Sequence, residues 1–166
     1  MKNIKIATVL LALVLLIACN QGSKKSETNK FSGLWKLIII EQQDSISKEW
    51  DEYKNGLQGF ILYDDKDNMA VHLTSKGYQN TDIIFHNFID TVSLEELKHR
   101  TQSYVYFAKY TVLENKNIIE HARISHSNPN EWNTIVKRWF EFKGDTLILT
   151  TVENSNSPLR VVWKRY

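Results

Sequence analysis

The sequence predicts an all-β domain over residues 31–166, an antiparallel up-and-down barrel of about eight strands with one short helix. Three observations carry this. From Phe31 onward, apolar residues alternate with a period of two or gather in short β-branched and aromatic runs, which is the pattern of strands. Short turn-forming clusters such as DDKDN, ENKN and KGD separate the runs, so neighbours in sequence form hairpins. Only SLEELKHR, residues 93–100, carries both the start and the stop signals of a helix. Sequential hairpins favour a barrel over a sandwich.

The first thirty residues stand apart from this domain. Lys2 and Lys5 precede an apolar run from Ala7 to Ala18 that is too short for an ordinary spanning helix. The run ends in Leu16-Ile17-Ala18-Cys19, which resembles the bacterial lipobox. That resemblance implies a signal peptide at 1–18, a lipid on Cys19, and Cys19 as the mature N-terminus. The alternative is an uncleaved anchor helix with an incidental thiol, and both readings tether an exported domain to a membrane. Residues 20–30, NQGSKKSETNK, are polar and aperiodic, as a flexible tether is. Asn20 is not the aspartate associated with inner-membrane retention in enteric bacteria. The expected location is therefore the bacterial cell envelope, lipid-anchored at the outer membrane.

Composition narrows the function classes. Cys19 is the only cysteine, so neither an intrachain disulfide nor a cysteine metal site is available to the domain. Removing residues 1–18 takes Lys2 and Lys5 from the 21 basic residues and leaves 19 against 19 acidic ones. A neutral mature chain gives no argument for nucleic acid or for a polybasic membrane patch.

Within the domain, GLWKLIIIE (33–41) is a strong first strand, and 42–56 reads as a loop or a short helical lid. Residues 59–78 form a hairpin about DDKDN. IIFHNFI (83–89) fits either a strand or a segment crossing a barrel end. In the helix, Ser93 is placed to cap and Glu96 stands at the fourth position of a capping box. Hairpins then follow: 103–113 with 118–126, 133–142 with 146–153, and a last strand at 159–166.

Several short motifs now stand in order. They are Gly33, Trp35 and Leu37; Gly59, Tyr63 and Met69; Tyr106 and Tyr110; His121; Arg138 with Trp139; and Trp163 with Arg165. In this order the chain resembles the bacterial lipocalin-like domain family over roughly residues 31–166. It departs from that pattern at Ala108, where the family often has glycine, and in the turn before Met69. The resemblance implies the barrel architecture, and a barrel of eight strands is just wide enough to fill with side chains or to hold one small ligand. The resemblance also favours His121 as inward-facing and Arg165 as a closure packed on Trp35.

Alternation assigns the faces. Tyr104, Tyr106, Ala108, Tyr110 and Val112 share one. Val136, Arg138, Phe140 and Phe142 share another, which places a guanidinium on an otherwise apolar face. Neither face of 118–126 is cleanly apolar. The candidate ligand-binding residues are Tyr63, Met69, Tyr106, Tyr110, His121, Arg138 and Phe140. An acidic head group would pair with Arg138 while its tail lies against Phe140, Leu149 and Val161. The bland alternatives stand beside this reading: Arg138 in structural pairing, stacked on a tryptophan and bonded to backbone carbonyls, His121 as a satisfied core histidine, and the tyrosines as core with hydroxyl partners.

No phosphate loop, G-x-S-x-G or H-E-x-x-H occurs, and the five histidines lack metal-site spacing. His121 and His126, five apart on one strand, are expected on opposite faces. No metal or cofactor is expected. The leading expectation is a membrane-anchored binder of a small lipophilic or amphipathic molecule. A solid barrel acting through its surface is the alternative, with a cyclase or isomerase behind it.

Overall fold

Among the described residues, nine strands form a single antiparallel sheet, and eight of them close into a ring. The computed structural model describes residues 28–53, 56–85, 92–153 and 156–166. The signal peptide, Cys19 and most of the tether lie outside the described residues, as do residues 86–89 of the IIFHNFI segment. Its first residues, 83–85, have no regular structure.

A single helical turn, α1 (Thr28–Phe31), leads into β1 (Gly33–Gln43). The others are β2 (Trp50–Glu52), β3 (Leu57–Tyr63), β4 (Asn68–Ser75), β5 (Ser103–Leu113), β6 (Ile118–His126), β7 (Ile135–Lys143), β8 (Thr146–Thr151) and β9 (Leu159–Arg165). Strands β3 to β9 pair in chain order, and β9 returns to β1, which closes the barrel. Strand β2 corrects the reading of 42–56 as a loop or helical lid. The first half of β1 pairs with β3, and β2 takes the vacated edge at Glu41–Gln43. A backbone edge left open there needs hydrogen-bond partners, and β2 supplies them.

The helix α2 (Leu94–Arg100) begins as its sequence indicates. The Ser93 hydroxyl accepts the Glu96 N–H at 3.1 Å. The Glu96 carboxylate is buried and accepts from Arg100 Nη2 at 2.7 Å. His99 donates from Nε2 to the Tyr78 carbonyl at 2.9 Å, which holds α2 against the segment following β4.

Two bulges interrupt the alternation. In β1 the register slips between Leu37 and Ile39. In β6 it slips where Phe107 pairs with Ser125 but Ala108 pairs with Arg123. One extra residue in a strand flips the facing of everything beyond it. Trp35 and Leu37 therefore point inward with Ile40, and Ile119, His121 and Arg123 point inward with His126. The expectation that His121 and His126 face opposite ways fails for this reason.

The interior is divided between two ends. At the end where the chain enters, Phe31 is fully buried among Tyr63, Tyr110, Phe140 and Phe142, with ring centroids 4.9 to 6.3 Å away. This aromatic plug is backed by Trp35, whose indole donates to the Phe31 carbonyl at 2.7 Å. Arg165 stacks on Trp35 at 4.1 Å and donates to the Ser32 and Lys30 carbonyls. The closure expected of Arg165 is therefore present. The opposite end of the barrel is hollow.

Candidate functional site

The hollow end holds a cavity of about 300 Å³. Its walls are mostly aliphatic: Ile61, Val71, Leu73, Leu149 and Val161 come from four strands, on the inward positions that alternation provides. A volume near 300 Å³ is the lower end of what small-molecule sites occupy. A larger groove of about 860 Å³ lies outside it, between the C-terminal end of α2 and the β5–β6 edge. Tyr53, Leu57 and Tyr104 line both spaces, so the groove leads to the cavity mouth.

Three of the residues singled out from sequence line the cavity: Tyr106, His121 and Arg138. Tyr63 stands just behind the wall. Met69, Tyr110 and Phe140 do not line it. Phe140 and Tyr110 pack on Phe31 in the plug. The Tyr110 hydroxyl donates to the Asp64 carbonyl at 2.8 Å, and Met69 is core. A ligand tail in this cavity therefore meets Leu149 and Val161, as expected, but not Phe140. The reason is depth: alternation places residues on a face and says nothing about which end of the barrel they fill.

His121 is the centre of the polar wall. Its Nε2 lies 3.0 Å from the Tyr63 hydroxyl and its Nδ1 lies 2.9 Å from the Tyr106 hydroxyl. The ring is 1% exposed. Burial, with the nearby Arg138 and Arg123 charges adding to it, pulls its pKa down to about 3. The imidazole is therefore neutral at physiological pH, with one donor and one acceptor nitrogen. Burial likewise pushes the Tyr63 and Tyr106 phenols up.

Arg138 sits at the mouth. Its Nη1 donates to Glu153 at 2.9 Å and to the Lys137 carbonyl at 2.7 Å. Glu153 is the acidic partner that the strand face lacks. Partial burial opposes its charge, but the Lys137 N–H and the Arg138 guanidinium outweigh it and hold the carboxyl below its usual range.

A second polar group escaped the sequence reading. Arg123 is buried and pairs with Glu131 and with Thr134 Oγ1. It also lies over the Tyr106 ring at 5.2 Å. His126 stacks on Tyr106 with ring centroids 5.7 Å apart and planes within 7°. His126 Nδ1 accepts the Asn128 N–H, which leaves the hydrogen on Nε2 in the neutral ring. These residues line the outer groove and brace Tyr106 from behind. Alternation already puts Arg123 on the face of His121, but nothing in the sequence signals the facing of His126, because an isoleucine rather than a glycine occupies the bulge that turns it inward. No group of three or more metal-ligating side chains occurs among the described residues.

A family model described as a lipocalin-like domain matches residues 32–166. No curated protein matches the chain. Among solved structures, a mutant of the fluorescent protein UnaG is similar at 13% identity, over 83% of this chain and 97% of that one, with a TM-score of 0.38.

Proposed function

We propose, for a chain that belongs to the lipocalin-like domain family, that it carries a small amphipathic molecule in its barrel while tethered to the bacterial envelope through a lipid on Cys19. The observation that carries the reading is the division of the interior: one end is filled by aromatic rings, and the other holds about 300 Å³ walled by aliphatic side chains with a few polar groups. A barrel built to act only through its surface has no use for that space, and an empty apolar void is destabilising by itself. The protonation states favour carriage over catalysis. Acid–base chemistry works best with a pKa near the working pH. The cavity histidine is driven to about 3, and its tyrosine neighbour upward.

Native mass spectrometry of the protein purified from its own host tests the reading. A retained small molecule, displaced by a polarity-sensitive hydrophobic probe, is the expected result. A protein that binds no hydrophobic probe refutes it. The tether is tested apart, by mass spectrometry of the mature N-terminus. An acylated Cys19 is expected, and an unmodified Cys19, or a soluble chain that keeps Met1, overturns the lipid anchor.

A further inference from the structure

The hydrogen-bond chain Tyr63–His121–Tyr106 has a direction, and the direction bears on which ligand the cavity accepts, given the carrier reading above. A neutral imidazole offers one N–H and one lone pair, so one tyrosine donates to it and the other accepts from it. Tyr63 is 1% exposed, and His121 is its one hydrogen-bond partner among the described residues. If Tyr63 accepted from Nε2–H, its own hydroxyl hydrogen would be stranded in the core, a costly arrangement. The economical order has Tyr63 donating to Nε2 and Nδ1–H donating to the Tyr106 oxygen. The Tyr106 hydroxyl hydrogen is then left over, and Tyr106 is the member of the pair that lines the cavity.

The rest of the wall has the same sign. Arg138 lines it, and among the described residues no aspartate or glutamate does. Thr151 Oγ1 already accepts the Leu159 N–H, which leaves its hydrogen to donate. Donors surplus to internal needs face an apolar chamber that contributes no acceptor charge.

We propose that the Tyr63–His121–Tyr106 chain fixes His121 as the Nδ1–H tautomer and turns the Tyr106 hydroxyl into a donor to the ligand, so that the cavity selects a monocarboxylate with an aliphatic body. Tyr106 and Arg138 receive the carboxylate, and Arg138 exchanges Glu153 for it. One guanidinium among neutral donors matches a single negative charge, not the two of a phosphate monoester.

Two measurements test this. Long-range proton–nitrogen correlation on labelled, ligand-free protein reads the His121 tautomer. A hydrogen on Nδ1 and a bare Nε2 at neutral pH are expected, and a hydrogen on Nε2 overturns the proposal. Calorimetry then compares decanoate with decanol, which share a body and differ in the head. Decanoate is expected to bind at least about tenfold more tightly, with Tyr106→Phe and Tyr63→Phe each losing most of that preference. Equal binding of acid and alcohol overturns the carboxylate inference and leaves the carrier reading standing. Exclusion of both, together with every hydrophobic probe, removes the carrier reading and this inference with it.

Discussion

Arg138 is 20% exposed and its partner Glu153 50% exposed, and those fractions decide how its substitution should be read. Breaking a fully buried ion pair costs about 3–5 kcal/mol, whereas a solvated pair contributes at most about 1 kcal/mol. Arg138→Met is therefore expected to shift the denaturation midpoint little while weakening binding of an acidic amphiphile. Urea titration beside calorimetry separates the two effects, and a variant that unfolds would make the arginine structural. His121 gives the opposite kind of prediction. Its folded pKa is depressed to about 3 from the ordinary 6.5. Below 6.5 the unfolded chain takes up a proton that the folded one refuses, so the stabilisation is complete above 6.5 and falls as pH drops toward 3. Denaturation midpoints should decline from pH 6.5 to 5, before most carboxylates titrate. His121→Gln should flatten part of that slope. His126, lowered by its own burial, contributes with the same sign. The guanidinium on an apolar strand face was legible as an anomaly in the sequence, but its partner was not. The sequence carries that strand on to 153, whereas β8 ends at Thr151, and Glu153 meets Arg138 from beyond the ladder.

At the scale of elements, the strands and the helix were readable because each carries its own local signal: β-branched runs, turn clusters and a serine cap. The facing of residues beyond a bulge was not readable, since parity counting assumes an unbroken ladder. That assumption holds for β5, where Tyr106, Ala108 and Tyr110 are all buried as alternation requires. It breaks in β6 at Ile124, which hid His126. Strand β2 was missed because three residues, WDE, are too few to show a period. Gly59 in β3 shows a constraint of another sort. Its φ is +146°, and a Cβ there would stand 2.0 Å from the His72 carbonyl oxygen. The strand passes close to β4 at that point only because no side chain intervenes. Gly59→Ala is expected to destabilise by more than about 1 kcal/mol, seen as a lowered thermal midpoint. An unchanged midpoint would mean that β3 and β4 part there without penalty.

The whole molecule is held shut where its two ends meet. Strand β9 lies along β1, and Arg165 ties itself to Trp35, Ser32 and Lys30. Loss of two hydrogen bonds and a stacked cation at a partly solvated site should cost about 1–2 kcal/mol. Arg165→Ala is accordingly expected to lower the thermal midpoint while far-UV circular dichroism remains that of a strand-rich protein. A midpoint that does not move would remove Arg165 from the closure. The barrel and this closure were legible in the sequence. The division into a filled end and a hollow end was not, because it depends on one phenylalanine ahead of β1, Phe31, that folds back to fill the base.

That plug also gives the barrel a polarity with respect to whatever lies ahead of Thr28. The chain enters the fold at the sealed base, and the mouth lies at the far end, beside α2 and Tyr104. A cup moored by its foot opens away from its mooring. If the mooring is a lipid on Cys19 and the barrel is the carrier proposed above, cargo passes through the aqueous side and not straight out of the bilayer beneath. A donor or acceptor of that cargo must then approach from the compartment that the mouth faces.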